Sequence, residues 1–310
     1  MASGVCRYRL MQGIDYSKIS ITAKLVAYLR KFSDIPFADD VASYIKAEEA
    51  IQEIVSKLQI ENQSPEAQKE MAQESKLAAP LLEARYKSIV QLIQETAINQ
   101  ILELASGFSL RGLAMAQNAD IHYVETDLAD INEEKRKLIA VLRTRYDLDD
   151  RGNHHVITAN ALDRSALEAA IAPFKTNQPL VIVNEGLIPY LSTEEQADLA
   201  DNVRYLLSKF AGGAWITPDF TTRQVADNVS ETRKRFREAI NSTTGRQLHE
   251  SAFDSEESIN EFIRVHGFSG VGSYQSELVR NLVSPERLGL SDAVVEKLNP
   301  HMRIWLLTPV

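Results

Sequence analysis

Nine residues constrain the fold more than any other stretch: Asn99-Gln100-Ile101-Leu102-Glu103-Leu104-Ala105-Ser106-Gly107. Ile101, Leu102 and Leu104 form a short apolar run with one acid, Glu103, inside it, and a small-residue turn ends it. Such a run, bounded by turn residues, reads as a buried strand. A second short strand, Ile121 to Val124, follows about twenty residues later, the spacing of a βαβ unit, and is followed by Glu125 and Asp127. A strand that enters a glycine turn and then a helix brings backbone N–H groups close to a ligand. An acid at the tip of the next strand accepts hydrogen bonds from ribose hydroxyls. The two strands describe half of a nucleotide-type cofactor site, with Asp127 or Glu125 as the ribose acid.

The chain around this unit divides in two. Residues 1–97 read as a helical N-terminal cap, and residues 98–310 as an α/β core. In the first part, apolar residues recur at helical spacing (Ile21, Leu25, Tyr28, Leu29; Val41, Tyr44, Ile45; Ile51, Ile54, Val55, Leu58; Ile89, Leu92, Ile93). Asp34-Ile35-Pro36 interrupts the first two groups, and residues 61–76 are polar, an exposed helix or loop. In the second part, strands are expected at Gln100–Leu104, Ile121–Glu125, His155–Ala159, Leu180–Asn184, Ala214–Pro218, Phe268–Tyr274 and Arg303–Thr308. Helical patterns at Ser109–Gln117, Asp130–Tyr146, Arg164–Phe174 and Thr193–Lys209 separate the first five. Apolar runs such as Leu180-Val181-Ile182-Val183 suit a parallel sheet covered on both faces. Ser192 with Glu195 spells a capping box, and Asp254 with Glu257 suggests another. Two long helical insertions, 219–266 and 275–300, follow strands five and six, where lids over a site belong.

Composition narrows the function classes. With 310 residues, 44% of them hydrophobic, the chain can bury a large core. Its net charge of −9 repels phosphate backbones, so nucleic acid is not an expected partner. One cysteine, Cys6, excludes a disulfide within the chain and fits a reducing compartment. No apolar stretch reaches the roughly 20 residues of a membrane span, and no secretory h-region opens the chain. A cytoplasmic protein outside the membrane is the expectation.

The turn after the first strand discriminates between cofactors. Ala105-Ser106-Gly107-Phe108-Ser109-Leu110-Arg111-Gly112 fails the G-x-G-x-x-G pattern, and no Gly-Lys-Ser/Thr triplet follows it. Glu103 beside the turn would repel a pyrophosphate and suits a cation. S-adenosylmethionine carries a sulfonium and an amino group and no phosphate.

At these residues the chain resembles the leucine carboxyl methyltransferases and their bacterial relatives, the tetracenomycin-type polyketide O-methyltransferases. The motifs are Arg85 in a helix before strand one, Ala105-Ser106-Gly107 followed by Arg111, and Glu125-Thr126-Asp127. The strongest is Asn184-Glu185-Gly186-Leu187-Ile188-Pro189-Tyr190-Leu191, similar to the family's Glu-Gly-Leu-x-x-Tyr-Leu; Ile35-Pro36-Phe37-Ala38-Asp39-Asp40 resembles its Pro-Leu-Phe-x-Asp segment. The resemblance implies the Rossmann-like, seven-stranded, mostly parallel sheet of class I methyltransferases, with helical lid insertions. It implies that Arg85 holds the methionine carboxylate, Gly107 approaches the methionine moiety, Asp127 binds ribose, Asn160 with Ala161 meets adenine, and Glu185 lies beside the methionine amino end. Two positions depart from the family pattern: Ala105 stands for the usual first glycine, and Ser109 for a frequent Asp.

The remaining candidates are few. His154 and His155 are adjacent, so on a strand they face opposite sides and cannot share a metal. No G-x-S-x-G elbow is present. Arg233, Lys234, Arg235 and Arg237 form a solvated helix face or a clamp for an acidic substrate. Tyr190 either lines the acceptor pocket or packs under the lid. The expected activity is methyl transfer to a carboxylate or hydroxyl oxygen of a small or polyketide-like acceptor. A carboxylate or phenolate needs alignment, not a general base, whereas an ordinary hydroxyl needs one. A protein C-terminal carboxylate is another possible acceptor. A non-catalytic cofactor-binding protein on the same fold, or a nicotinamide oxidoreductase, is the alternative.

Overall fold

The computed structural model describes residues 20–49, 51–52, 64–228, 234, 237–238, 241, 247–291 and 302–310. Cys6, Ile54, Val55, Leu58, Arg233 and Arg235 lie outside the described residues.

Seven strands form one sheet in the order β3-β2-β1-β4-β5-β7-β6. They are β1 Gln100–Leu104, β2 His122–Asp127, β3 His154–Thr158, β4 Leu180–Asn184, β5 Gly213–Thr217, β6 Phe268–Tyr274 and β7 Arg303–Pro309. The pairs among β1 to β5 are parallel, and β7 runs antiparallel to both of its neighbours. The expected Rossmann-like, mostly parallel α/β sheet is therefore present. β1 and β4 are wholly buried, as continuous apolar runs in a two-faced sheet must be.

Alternation along each strand divides the core. Leu102, Leu104, Val124, Leu180, Ile182 and Trp215 pack on one face with Leu167 and Leu199. These last two belong to α6 Arg164–Ala170 and α7 Thr193–Leu207. Ile101, Tyr123, Val181, Val183 and Ile216 pack on the other face with Ile89, Leu92 and Ile93 of α3 Pro65–Thr96. Glu103 shares the parity of Ile101 and therefore points toward the α3 side. Two short helices, α1 Ser20–Arg30 and α2 Ala38–Tyr44, join Leu138, Ile139 and Leu142 of α5 Ala129–Tyr146 in a third cluster. The remaining short helix before β2 is α4 Arg111–Met115.

The capping box at Ser192 and Glu195 forms as expected. The second one is displaced by one residue: Ser255 caps α9 Glu256–Val265 together with Ser258, and Asp254 with Glu257 does not. The hydroxyl of Ser255 reaches the Ser258 amide at 3.3 Å. Between β5 and α9 the described residues include a short helix, α8 Arg223–Asp227. Two more, α10 Gln275–Leu278 and α11 Ser284–Leu288, follow β6.

β1 lies between β2 and β4, so the connections leaving β1 and β4 depart to opposite sides. Ligands of open α/β sheets settle outside the strand C-terminal ends at such a reversal. Glu103 is in register with Glu125 of β2 and Val183 of β4, which places the tips of these three strands side by side.

Candidate functional site at the tips of the central strands

The turn after β1 is held by β2. The Ser106 amide donates to the Thr126 carbonyl at 2.9 Å. The Gly107 amide donates to Asp127 Oδ2 at 2.6 Å, and the Leu128 amide donates to Asp127 Oδ1 at 2.7 Å. The turn needs left-handed backbone at two places, Ala105 with φ 49° and Gly107 with φ 53°. Glycine accepts that conformation freely, whereas an alanine pays about 1–2 kcal/mol. A side chain at position 107 would meet nothing nearer than Ala23 Cβ at 3.9 Å, so the backbone is open on the cavity side. Beneath the turn, the buried Lys135 ammonium donates to Ser106 Oγ at 2.8 Å and lies 3.4 Å from Glu125.

A second group of charges closes the other end. Glu185, just past β4, accepts hydrogen bonds from Arg30 of α1, from Arg85 Nε of α3 at 2.7 Å and from Arg111 Nη2 of α4 at 2.5 Å. Arg111 also donates to Glu103, whose second oxygen accepts from the Tyr123 hydroxyl at 2.7 Å. The ring of Tyr86 lies under two of these guanidiniums, 4.5 Å from Arg111 and 5.3 Å from Arg30. Burial alone would raise the Glu185 pKa, but the three arginines outweigh it and hold the carboxyl well below its usual range. Burial raises the Tyr86 hydroxyl to about 12, so it stays neutral.

Three guanidiniums face two carboxylates here, an excess of one positive charge. The sequence suits Glu103 to a cation, and in the structure Arg111 of the chain itself is such a cation. Arg111 neutralises it, and the end of the site nearest β4 is suited to an anionic group such as an amino-acid carboxylate.

A cavity of about 1110 Å³ opens above these strand tips. It exceeds the roughly 300–1,000 Å³ of ordinary small-molecule sites, room for two ligands side by side. Arg85, Glu103, Ala105, Gly107 and Asp127 line it, as do Asn160, Ala161, Glu185 and Tyr190. Glu125 is not among its walls. Its carboxylate is buried beneath the turn, where it meets His154 Nε2 at 3.0 Å and the Gly112 amide at 3.3 Å. Burial opposes its charge, but Lys135 and His154 hold the carboxyl down at about 2. Of the two acids at the end of β2, only Asp127 is in reach of a ligand. Asn160 follows β3, accepts from the Leu162 amide at 3.0 Å, and leaves its side-chain amide nitrogen without a partner among the described residues.

Four contributors escaped the sequence reading. Arg30 is the last residue of α1, and only its place at a helix end sets it apart from other surface arginines in sequence. Lys135 reads as one basic residue among several in a polar helix. Asp219 carried a signal, an acid directly after the apolar strand β5 and Pro218. Its carboxylate accepts from Asn184 Nδ2 at 2.7 Å and from the amides of Gly186 and Leu187 at 2.8 Å, fixing the loop after β4. His249, in the segment between α8 and α9, lines the cavity, and its amide donates to the Pro189 carbonyl at 3.0 Å. Among the described residues no group of His, Cys, Asp and Glu has the arrangement of a metal site. No helix among them is long and apolar enough to cross a membrane.

Known proteins resemble parts of this chain. A protein of Parafrankia sp. (strain EAN1pec), described as an S-adenosyl-L-methionine-dependent methyltransferase, is 30% identical over 112 residues. The match takes in 36% of this chain and 35% of that protein, so the chain spans about a third of the length of that curated relative. Among solved structures, a methyltransferase of Thermobifida fusca YX is 15% identical, with 93% of each chain covered and a TM-score of 0.46. An O-methyltransferase of Nostoc punctiforme PCC 73102 is 10% identical, covering 76% of this chain and 59% of the other, with a TM-score of 0.47. The model of the leucine carboxyl methyltransferase family matches residues 20–204, which run from α1 through most of α7 and include both charge clusters. The chain belongs to the leucine carboxyl methyltransferase family.

Proposed function

We propose that this chain is an S-adenosylmethionine-dependent methyltransferase that methylates an oxygen of a small-molecule acceptor. One observation carries the cofactor side: Asp127 fixes the Gly107 turn through a 2.6 Å bond while facing the cavity. Each of its oxygens accepts one backbone N–H, which leaves lone pairs for two ribose hydroxyls. The residues present fit the whole cofactor. The open backbone at Gly107 admits the methionine chain, and the guanidinium nitrogens of Arg85 not engaged by Glu185 are placed for its carboxylate. The unpartnered amide nitrogen of Asn160 suits adenine. Nothing here offers the glycine-rich phosphate cradle of a dinucleotide.

When bound, the cofactor supplies a methyl group activated by the positive sulfur. The chain supplies alignment. Asp127 and Asn160 would fix the nucleoside, and Arg85, oriented by its bond to Glu185, would receive the amino-acid carboxylate. Tyr190 and the segments after β5 face the remaining volume, where the acceptor would lie. Orientation of two bound reactants can contribute roughly 7–11 kcal/mol toward the barrier. Calorimetric titration with S-adenosylhomocysteine tests the reading: one-to-one binding supports it, and an absence of binding defeats it.

A further inference from the structure

The acceptor side of the cavity carries its own chemical signature, in the wall to which residues 218–228, 237 and 248–259 contribute. Two guanidiniums among the described residues reach this wall, and each is already matched by a carboxylate. Arg237 lies 3.6 Å from Asp227, and Arg303 lies 3.0 Å from Glu256. Asp219, Asp254 and Glu257 also line the cavity, so carboxylates outnumber cations among the described residues of this wall. No spare guanidinium among its described residues is available to receive an acidic acceptor.

His249 is the exception to this pairing. Its amide is tied to Pro189, beside Tyr190 in the loop after β4, in a left-handed backbone conformation with φ 64°. Its Nδ1 is buried without a hydrogen-bond partner among the described residues. A buried polar atom without a partner costs about 1–3 kcal/mol, so it is retained where a ligand satisfies it. Burial and the neighbouring Arg237 lower the imidazole pKa to about 4, which leaves the ring neutral over ordinary working conditions.

Resting on the methyltransferase reading, we infer that His249 is the specificity-determining residue of the acceptor pocket and selects a neutral hydroxyl, phenol-like in class, over a carboxylate. A hydroxyl both donates and accepts, so it satisfies Nδ1 in either tautomer. A carboxylate only accepts, and among the described residues of this wall it would face more carboxylates than cations. Phe220, Leu187, Val225 and Leu248 give the pocket apolar walls for an aromatic body.

The test uses the full chain saturated with S-adenosylhomocysteine, titrated with 2-naphthol and with 2-naphthoate, which share one ring system. The wild type is expected to bind 2-naphthol about tenfold more tightly than 2-naphthoate, the worth of one well-placed buried hydrogen bond. His249→Phe is expected to erase that preference while leaving S-adenosylhomocysteine affinity within about twofold. His249→Gln, which keeps a hydrogen-bonding side chain, is expected to retain most of it and guards against a folding defect in the Phe variant. Equal or tighter binding of the naphthoate, binding of neither probe, or a preference that survives His249→Phe would overturn the inference while leaving the cofactor site intact. Failure of the wild type to bind S-adenosylhomocysteine would instead bring down the methyltransferase reading, and this inference with it.

Discussion

Arg111 donates one guanidinium nitrogen to Glu185 at 2.5 Å and another to Glu103, so one side chain ties the tip of β1 to the loop after β4. All three groups are buried. The Arg111 pKa is raised well above its ordinary value: burial opposes the charge, but Glu103 and Glu185 more than compensate. The site is therefore built on a fixed ionic frame that belongs to the fold.

This frame sets an order of stabilities. Arg111→Met leaves Glu103 without a direct ion-pair partner among the described residues and is expected to cost about 3–5 kcal/mol, as breaking a buried pair does. Arg30→Leu leaves Glu185 with Arg85 and Arg111, and is expected to cost only about 1–2 kcal/mol. Urea denaturation of both variants checks the order, and a smaller loss for Arg111→Met than for Arg30→Leu contradicts it.

Gly112 is a steric hinge between the frame and the turn. A Cβ there would lie 2.8 Å from both Glu125 Cδ and Tyr123 Cδ1 and 2.9 Å from His154 Nε2. Those side chains are buried and hydrogen-bonded, so they have little room to give. Gly112→Ala is expected to lose about 1–3 kcal/mol despite the better helix propensity of alanine. A melting temperature equal to that of the wild type would show that the contact relaxes.

Two carboxylates at the site have pKa values shifted in opposite directions. Burial raises the Asp127 pKa above its ordinary 3.8, outweighing the amides of Gly107 and Leu128 and the charge of Lys135. Protonation removes acceptor capacity, so S-adenosylhomocysteine affinity is expected to be full above the raised pKa and to fall as pH drops through it, earlier than for an ordinary aspartate. Glu185 has a depressed pKa. Its contribution to stability is present above the unfolded value of 4.5 and is lost as pH falls toward the folded value. Replacing it in Glu185→Gln is expected to flatten the acid side of a plot of denaturation midpoint against pH. A binding profile that is flat through the acid range contradicts the first expectation, and an unchanged acid limb the second.

Much of this architecture could be read from local pattern. β1, β4 and β6 begin and end where their apolar or turn residues predict. The Ser192 capping box forms because its two partners are three residues apart. The acid at the end of β2 was visible but ambiguous, since Glu125 and Asp127 share one strand parity. The choice between them depends on Lys135 and His154, which claim Glu125 from other elements. Arg30 lies 155 residues from Glu185, and a pairing at that distance leaves no local periodicity to detect. Asp219 and His249 act through backbone contacts to the loop after β4, and such contacts exist only once the sheet brings β4 and β5 together. Glu103 stands out in sequence as an acid inside an apolar run. Its partner was not foreseen, because Arg111 reaches it across a turn and not along a helix face.

The most direct measurement is calorimetric titration of the wild type and Asp127→Ala with S-adenosylhomocysteine, alongside a thermal-shift comparison with a nicotinamide dinucleotide. One-to-one binding by the wild type, weakened at least about tenfold in the variant, with no stabilisation by the dinucleotide, is the expected result. Equal affinity in the two proteins, or stabilisation by the dinucleotide alone, would contradict the assignment of the cavity to a sulfonium nucleoside.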